Sequence, residues 1–257
     1  MPKKKELTNI EQKYKKTAVR LTFLCGCLIF FNFILISLIF TWSDWVALLI
    51  FSLLFIVPAY LSNAGMVFTG GGKPIDGGKI LKDGRRLFGD HKTWNGLIKG
   101  PLYIGIPITI GIFVLLLSLW QFIGPAFNLA IDAGLYKLYD NLTYYEYYFI
   151  GGPFPIGFLG LIIRIVVVSY GAAIGDLLGS CLKRRFDIES GAPFWIVDQL
   201  DFLLVSIGFI ILLGLIAPEL IWLPDINIII FLMILTPSIS IIGNNVAYYA
   251  GKKSVPW

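Results

Sequence analysis

Six long apolar runs, at about 21–40, 45–61, 101–123, 156–174, 202–218 and 226–243, constrain this chain more than any other feature. Inside hydrocarbon every backbone N–H and C=O must find a partner within the chain, so a run of this kind crosses as a helix or in a closed barrel. At 1.5 Å rise per residue the first run comes close to the ~30 Å thickness of a bilayer core, whereas a barrel strand needs only ~10 alternating residues. A composition of 57 % hydrophobic and 14 % charged residues agrees with the membrane class. The expected fold is therefore an all-α integral membrane protein. It is a polytopic helical bundle with about six transmembrane helices and two motif-bearing cytoplasmic loops, with residues 1–257 forming one transmembrane domain. The first run is long, has no small-residue cleavage pattern and is followed at once by another, so it reads as a span rather than a signal peptide.

Charge orients the runs. Residues 1–20 carry seven Lys or Arg against two Glu, and residues 62–100 carry seven against three Asp. The connection 125–155 has Asp132, Asp140 and Glu146 against Lys137 alone, and the turn near 219–225 has Glu219 and Asp225 with no base. Six crossings then put both termini, the loop 62–100 and the segment 175–201 in the cytoplasm of a multi-pass cell-membrane protein, with 125–155 extracytoplasmic. The net charge of +5 follows from this topology and calls for no nucleic acid. Cys25 and Cys27 lie in the first run and Cys181 on the cytoplasmic side, which speaks against a disulfide framework.

Two cytoplasmic segments hold the unusual chemistry. In the glycine-rich basic loop, Gly70, Gly71, Gly72, Gly77, Gly78, Gly84 and Gly89 allow tight turns that bring N–H groups toward a ligand. Lys73, Lys79, Lys82, Arg85, Arg86 and Lys92 supply positive charge suited to phosphates. It is not a Walker A loop, because Lys73 stands where the leading glycine belongs and Ile80 where Ser or Thr belongs. The same residues also suit a basic loop that touches lipid headgroups. In the second segment Asp176, Ser180, Lys183 and Arg184 fall on one face if the fourth span continues helically, and Asp198 and Asp201 share a face at the start of the fifth. Carboxylates at the end of an apolar helix need a partner or a cation. Asp176, Asp198 and Asp201 beside Lys and Arg read as a site for a divalent metal with oxygen ligands, Mg²⁺, and a polyphosphate. The alternative is that Asp198 and Asp201 cap a helix and pair with Arg184 or Arg185.

Other polar residues read as structural or stay open. Arg164, near the middle of the fourth run, needs a partner inside the bundle. Asn63 is either a helix-terminus residue or a ligand to nucleotide or phosphate. Asn244 and Asn245 read as interhelical hydrogen bonders, and Pro58, Pro107 and Pro237 as kinks or breaks. His91, the single histidine, reads as a solvated loop residue, and the tyrosines of 136–149 as headgroup-level anchors.

The ordered set "VPAYLSNAG", "GGGKPIDGG", "DGRRLFGDHKTWNG", "GAAIGDLLGSCLKRR", "SGAPFWIVDQLDF" and terminal "VPW" resembles the CDP-archaeol synthase family from about residue 45 onward, with an enlarged connection at 125–155. The second segment is similar, more distantly, to the signature of CDP-diacylglycerol synthases. By this resemblance Pro74, Asp76 and Gly78, then Arg85, Arg86, Gly89, Lys92, Thr93 and Gly96, match stretches associated with nucleotide and phosphate binding. Asp176, Gly179, Ser180, Lys183 and Arg184 match the later conserved segment, and Asp198 and Asp201 its terminal pair. Gly77 stands where the family has an aromatic and His91 where it has glycine. The family core has five spans, to which this chain adds one at its start. The resemblance implies transfer of a cytidylyl group from CTP to an isoprenoid glycerol-phosphate lipid, with Mg²⁺. Asp176, Asp198, Asp201 and Lys183 are the implied catalytic candidates. Asn63, Lys73, Asp76, Lys79, Arg85, Arg86, Gly89, Lys92, Thr93, Gly96, Ser180 and Arg184 are the nucleotide- and phosphate-binding ones. A cytidylyltransferase for another lipid phosphate and a transporter of an anionic solute are the alternatives, and a homo-oligomer stays open.

Overall fold

The computed structural model describes residues 8–188 and 192–257, so Lys3, Lys4 and Lys5 and the Ser190 and Gly191 of "SGAPFWIVDQLDF" lie outside the described residues. Its helices are α1 (Asn9–Ile39), α2 (Trp42–Thr69), α3 (Trp94–Gly100), α4 (Ile106–Asp132), α5 (Leu142–Ile150), α6 (Ile156–Arg185), α7 (Trp195–Ile216) and α8 (Ile226–Tyr249). A π-helical turn, Pro101–Gly105, joins α3 to α4 in one continuous span. Six helical segments are long and apolar enough to cross a membrane, as the hydrophobic runs require.

Several helices outrun their apolar cores. α2 continues to Thr69 and α6 to Arg185, which carries polar residues beyond the hydrocarbon while keeping their backbone bonded. Asn63 is consequently inside α2 and not at its end. Pro58 and Pro237 lie inside α2 and α8, and Pro107 lies at the second position of α4, directly after the π-helical turn.

α2 and α6 form the centre, and α7 packs closely on α6. Gly171, Gly175 and Gly179 recur every four residues on α6 and so share one face. A methyl group on Gly171 would stand 2.8 Å from the Ser206 Cα, and one on Gly175 would stand 2.5 Å from the Asp201 carbonyl oxygen. Small residues let the two backbones approach, which in lipid is a main source of helix association. α1 lies against α8 and α2 at the periphery, with Phe23, Phe30 and Leu38 exposed on its outer face.

At the end of the bundle away from the glycine-rich loop, Asp44 is fully buried and accepts the backbone N–H groups of Lys137 (3.0 Å), Leu138 and Tyr139 (3.1 Å each). This pins the chain between α4 and α5. The helix α4 runs to Asp132, so that connection starts later than residue 125 and contains α5. Tyr139, Tyr145 and Tyr148 are buried around Phe51 of α2, and Tyr147 stacks on Trp222, so these rings face the protein interior. Arg164, 2 % exposed, lies over the Tyr147 ring at 4.8 Å and the Phe113 ring at 5.8 Å. These cation–π contacts are the structural partnership its position demands.

Candidate active site

The glycine-rich loop is ordered around one carboxylate. Asp76 accepts backbone N–H groups from Gly78 (3.0 Å), Phe88 and Gly89 (3.1 Å each), and the Arg86 guanidinium at 2.5 Å. Gly78 at φ +81° and Gly89 at φ +118° turn the chain so that these N–H groups converge, a conformation few other residues adopt. Burial alone would push the Asp76 carboxyl up, but Arg86 and the three N–H groups outweigh it and hold it well below the usual carboxylate range. Asp76 thus shapes the loop from within and lines neither of the cavities described below.

The loop is latched to the end of α6. The Arg85 guanidinium donates to the carbonyls of Arg184 (3.4 Å) and Arg185 (2.8 Å) and pairs with Asp187 at 3.2 Å. Arg185 reaches back to Asp83 and to the Arg86 carbonyl. Two further pairs bridge elements: Lys92 Nζ to Asp176 Oδ2 at 2.6 Å, from loop to α6, and Lys183 Nζ to Asp198 Oδ2 at 2.7 Å, from α6 to α7.

Two adjoining cavities result. One, of about 410 Å³, has Asn63, Thr93, Gly96 and Asp176 beside the apolar Met66, Val67, Leu97 and Leu177. The other, of about 550 Å³, is lined by Arg85, Arg86, Gly89, Ser180, Lys183 and Arg184. Asp90, His91 and Lys92 line both, so this short strap is the wall between them. Thr93 caps α3 by accepting the Gly96 N–H at 3.2 Å, which explains the pairing of these residues on one wall. Ten of the candidate residues are therefore brought together around the cavities: Asn63, Arg85, Arg86, Gly89, Lys92, Thr93, Gly96, Ser180, Lys183 and Arg184, with Asp176 as an eleventh. Lys73 and Lys79 are not. Both are exposed and line neither cavity: Lys79 follows the turn at Gly77–Gly78, and Lys73 stands just past Gly70–Gly72, which do line the first cavity. The apolar wall of Met66, Val67, Leu97 and Leu177 escaped the sequence reading, which ended the second span at residue 61. His91, read as solvated, is exposed and yet borders both cavities.

The three aspartates do not stand as one compact ligand set. Among the described residues no three His, Cys, Asp or Glu side chains are grouped closely enough to hold a metal ion. The reason is visible in their partners: Asp176 faces Lys92, Asp198 faces Lys183 and the Phe194 N–H, and Asp201 lies against Gly179 on α6. Asp201 is nonetheless within electrostatic reach of both others. A magnesium ion needs only one or two carboxylates where substrate phosphates complete its shell.

The chain matches the family model described as "CarS-like: CDP-archaeol synthase" over residues 45–131 and 140–257. It belongs to the CDP-archaeol synthase family. The CDP-archaeol synthase of Thermococcus onnurineus is 37 % identical, covering 81 % of this chain and 97 % of that protein. That of Archaeoglobus fulgidus is 36 % identical over 79 % of this chain and 94 % of that protein. A solved structure described as an intramembrane enzyme for archaeal membrane lipids biosynthesis is similar over 77 % of this chain and 92 % of that one, with 26 % identity and a TM-score of 0.46. The matched stretches take in all of the cavity-lining residues. α1 and the segment pinned by Asp44 fall outside the match, as additions of this chain to the CDP-archaeol synthase family core.

Proposed function

We propose that the two cavities are the lipid and nucleotide sites of a CTP-dependent cytidylyltransferase. It forms CDP-archaeol and pyrophosphate from CTP and 2,3-bis-O-(geranylgeranyl)-sn-glycerol 1-phosphate. The observation that carries this reading is the strap Asp90–His91–Lys92, which separates a half-apolar cavity from a cationic one. A lipid phosphate suits the first, with its chains running along α2 and α3 toward the bilayer. A triphosphate suits the second, where Arg85, Arg86, Lys183 and Arg184 converge.

The lipid phosphate oxygen is already an anion at neutral pH and attacks the α-phosphorus of CTP in line. The bond to the bridging oxygen breaks and pyrophosphate leaves with its electron pair. No strong base is needed; the barrier lies in bringing two anions together. Lys92, on the shared wall, is placed to face both. Asp176, which lines the first cavity, would offer one carboxylate to a Mg²⁺ held chiefly by the triphosphate, and that ion would supply charge neutralisation there. The excess of Lys and Arg at this end supports a cytoplasmic orientation, where CTP is available.

Incubating the purified protein with Mg²⁺, each of CTP, ATP, GTP and UTP, and a panel of isoprenoid and acyl glycerol phosphates tests the reading. Pyrophosphate and CDP-lipid are expected with CTP and the isoprenoid ether lipid. Equal turnover of all four nucleotides would remove the cytidylyl assignment.

A further inference from the structure

α1 lies outside the stretch that matches the family, so its role is not one the family core already fills. It is fastened to α8. Ala18 is fully buried, and the Asn245 amide donates to the Ala18 carbonyl at 3.3 Å and to the Thr22 hydroxyl at 2.9 Å. One turn before Ala18, and on the same face, stands Tyr14. Its ring meets Trp195 edge-on at 6.1 Å and 74°, and Trp257 at 5.5 Å and 80°. Trp257 is held from its other side, where the Lys253 ammonium donates to the Asn244 side chain at 3.0 Å and to the Trp257 oxygen at 2.7 Å.

These contacts converge on the first turn of α7. Trp195 opens that helix with φ +25°, a conformation a bulky residue keeps only where its surroundings over-determine it. Three residues on, Asp198 accepts the Phe194 N–H at 3.0 Å and pairs with Lys183 at 2.7 Å. A small cavity of about 50 Å³ lies among Trp195, Asp198, Asn244 and Trp257, so the turn is not clamped by close packing from α8 and the tail alone. The remainder of α7 is held differently, by its backbone approach to Gly171 and Gly175 of α6. Loosening Tyr14 therefore frees one turn and not the helix.

We propose that Tyr14 is a positioning residue. Through it α1 acts as a buttress inside the chain, wedging Trp195 against the C-terminal Trp257 and thereby fixing the turn that presents Asp198 to Lys183. The inference rests on the proposed cytidylyl transfer for its catalytic consequence, but its mechanical part stands apart from that reading.

The test compares Tyr14→Ala, Tyr14→Leu and Tyr14→Phe in the full-length protein. The readouts are kcat and KM for CTP, and the rate of limited proteolysis between residues 186 and 195. In Tyr14→Ala and Tyr14→Leu, kcat is expected to fall on the order of tenfold with KM for CTP nearly unchanged, since sub-ångström misplacement of a reacting group acts on the rate. Cleavage should be several-fold faster. Tyr14→Phe keeps the ring edge and should restore both; Tyr14→Leu keeps apolar bulk and serves should the alanine variant not fold. Parental kcat and cleavage in Tyr14→Leu would overturn the proposal, as would Tyr14→Phe behaving like Tyr14→Leu. A parent that forms no CDP-lipid would sink the functional reading, and accelerated cleavage in Tyr14→Leu would then still uphold the buttress.

Discussion

Replacing Gly179 by alanine puts a methyl group where α6 runs beside the Asp201 side chain. That methyl overlaps the carboxylate Oδ2 and stands 2.7 Å from Cγ and 2.9 Å from Cβ, closer than real Cβ contacts come. Either the Asp201 side chain rotates away or α7 shifts. Leaving a favoured rotamer costs roughly 0.5–1.5 kcal/mol, while overpacking that moves backbone costs about 1–3 kcal/mol, so the side chain yields first. Gly179→Ala is accordingly expected to fold with a loss of about 1 kcal/mol while turnover drops on the order of 10²-fold, the scale for misplacing one strong electrostatic group. Gly175→Ala makes the contrast. Its methyl meets the Asp201 carbonyl oxygen and the Phe202 Cα, both at 2.5 Å, and neither can swing aside. The helices must part, so that variant should lose stability and yield first. Pyrophosphate release from CTP, Mg²⁺ and lipid phosphate, measured beside thermal unfolding in detergent, separates the two. Parental turnover in a folded Gly179→Ala would refute the placement of Asp201 in the site. A Gly175→Ala no less stable than Gly179→Ala would refute the reasoning from close approach.

Asp176→Asn, Asp198→Asn and Asp201→Asn should each lower CDP-lipid formation on the order of 10²-fold and shift its Mg²⁺ dependence; three variants with parental rates in a Mg²⁺ titration would place the metal elsewhere. The Asp76 carboxyl titrates below its ordinary value of 3.8, so its contribution to loop order is complete above that pH and is lost as pH falls through the lower folded value. A spin label at exposed Lys79 should stay immobile from neutral pH down to about pH 5 and loosen only in stronger acid, whereas with Asp76→Asn it should be mobile at neutral pH already. A cysteine replacing Asp140 should react with an impermeant reagent outside intact cells and one replacing Lys82 should not, in a background lacking Cys25, Cys27 and Cys181; the reverse pattern would invert the topology.

The spans were legible because hydrocarbon leaves the backbone one solution, and apolar length reports it directly. The acidic part of the candidate site was legible for a related reason: Asp176 and Asp198 are carboxylates at the ends of apolar helices, and each needed a partner. Those partners were not legible. The sequence placed the three aspartates around one ion, while the structure pairs two of them with Lys92 and Lys183, a choice made by how α6, α7 and the loop meet. That Lys73 and Lys79 lie outside both cavities was not legible, because charge composition does not say which way a loop side chain faces. The role of Gly179 could have been found from the four-residue spacing of Gly171, Gly175 and Gly179, a packing signal within a motif otherwise read for chemistry. Asp44 carried no signal. A single carboxylate at a helix start looks like a cap, and its three N–H partners lie more than ninety residues away.

The two ends of the bundle treat buried charge in opposite ways, and the difference bears on which carboxylates act. Asp44 is held by backbone N–H groups, and Arg164 by aromatic faces and the Tyr147 carbonyl, partners fixed to the fold that no ligand can displace without unfolding a segment. Asp176 is instead paired with the Lys92 ammonium, and Asp198 with the Lys183 ammonium besides the Phe194 N–H; both lysines sit at the ends of flexible chains and border the cavities. In the proposed reaction an arriving triphosphate would compete for those lysines, and a divalent cation for the carboxylates they release. Each swap would exchange one charged partner for another, so neither Asp176 nor Asp198 need become an isolated charge, whose desolvation is the expensive state. Breaking Asp44 should therefore show as lost stability with little change in nucleotide affinity, while Lys92→Met should leave the fold standing, expose Asp176 to a like-charged substrate and weaken binding of CTP.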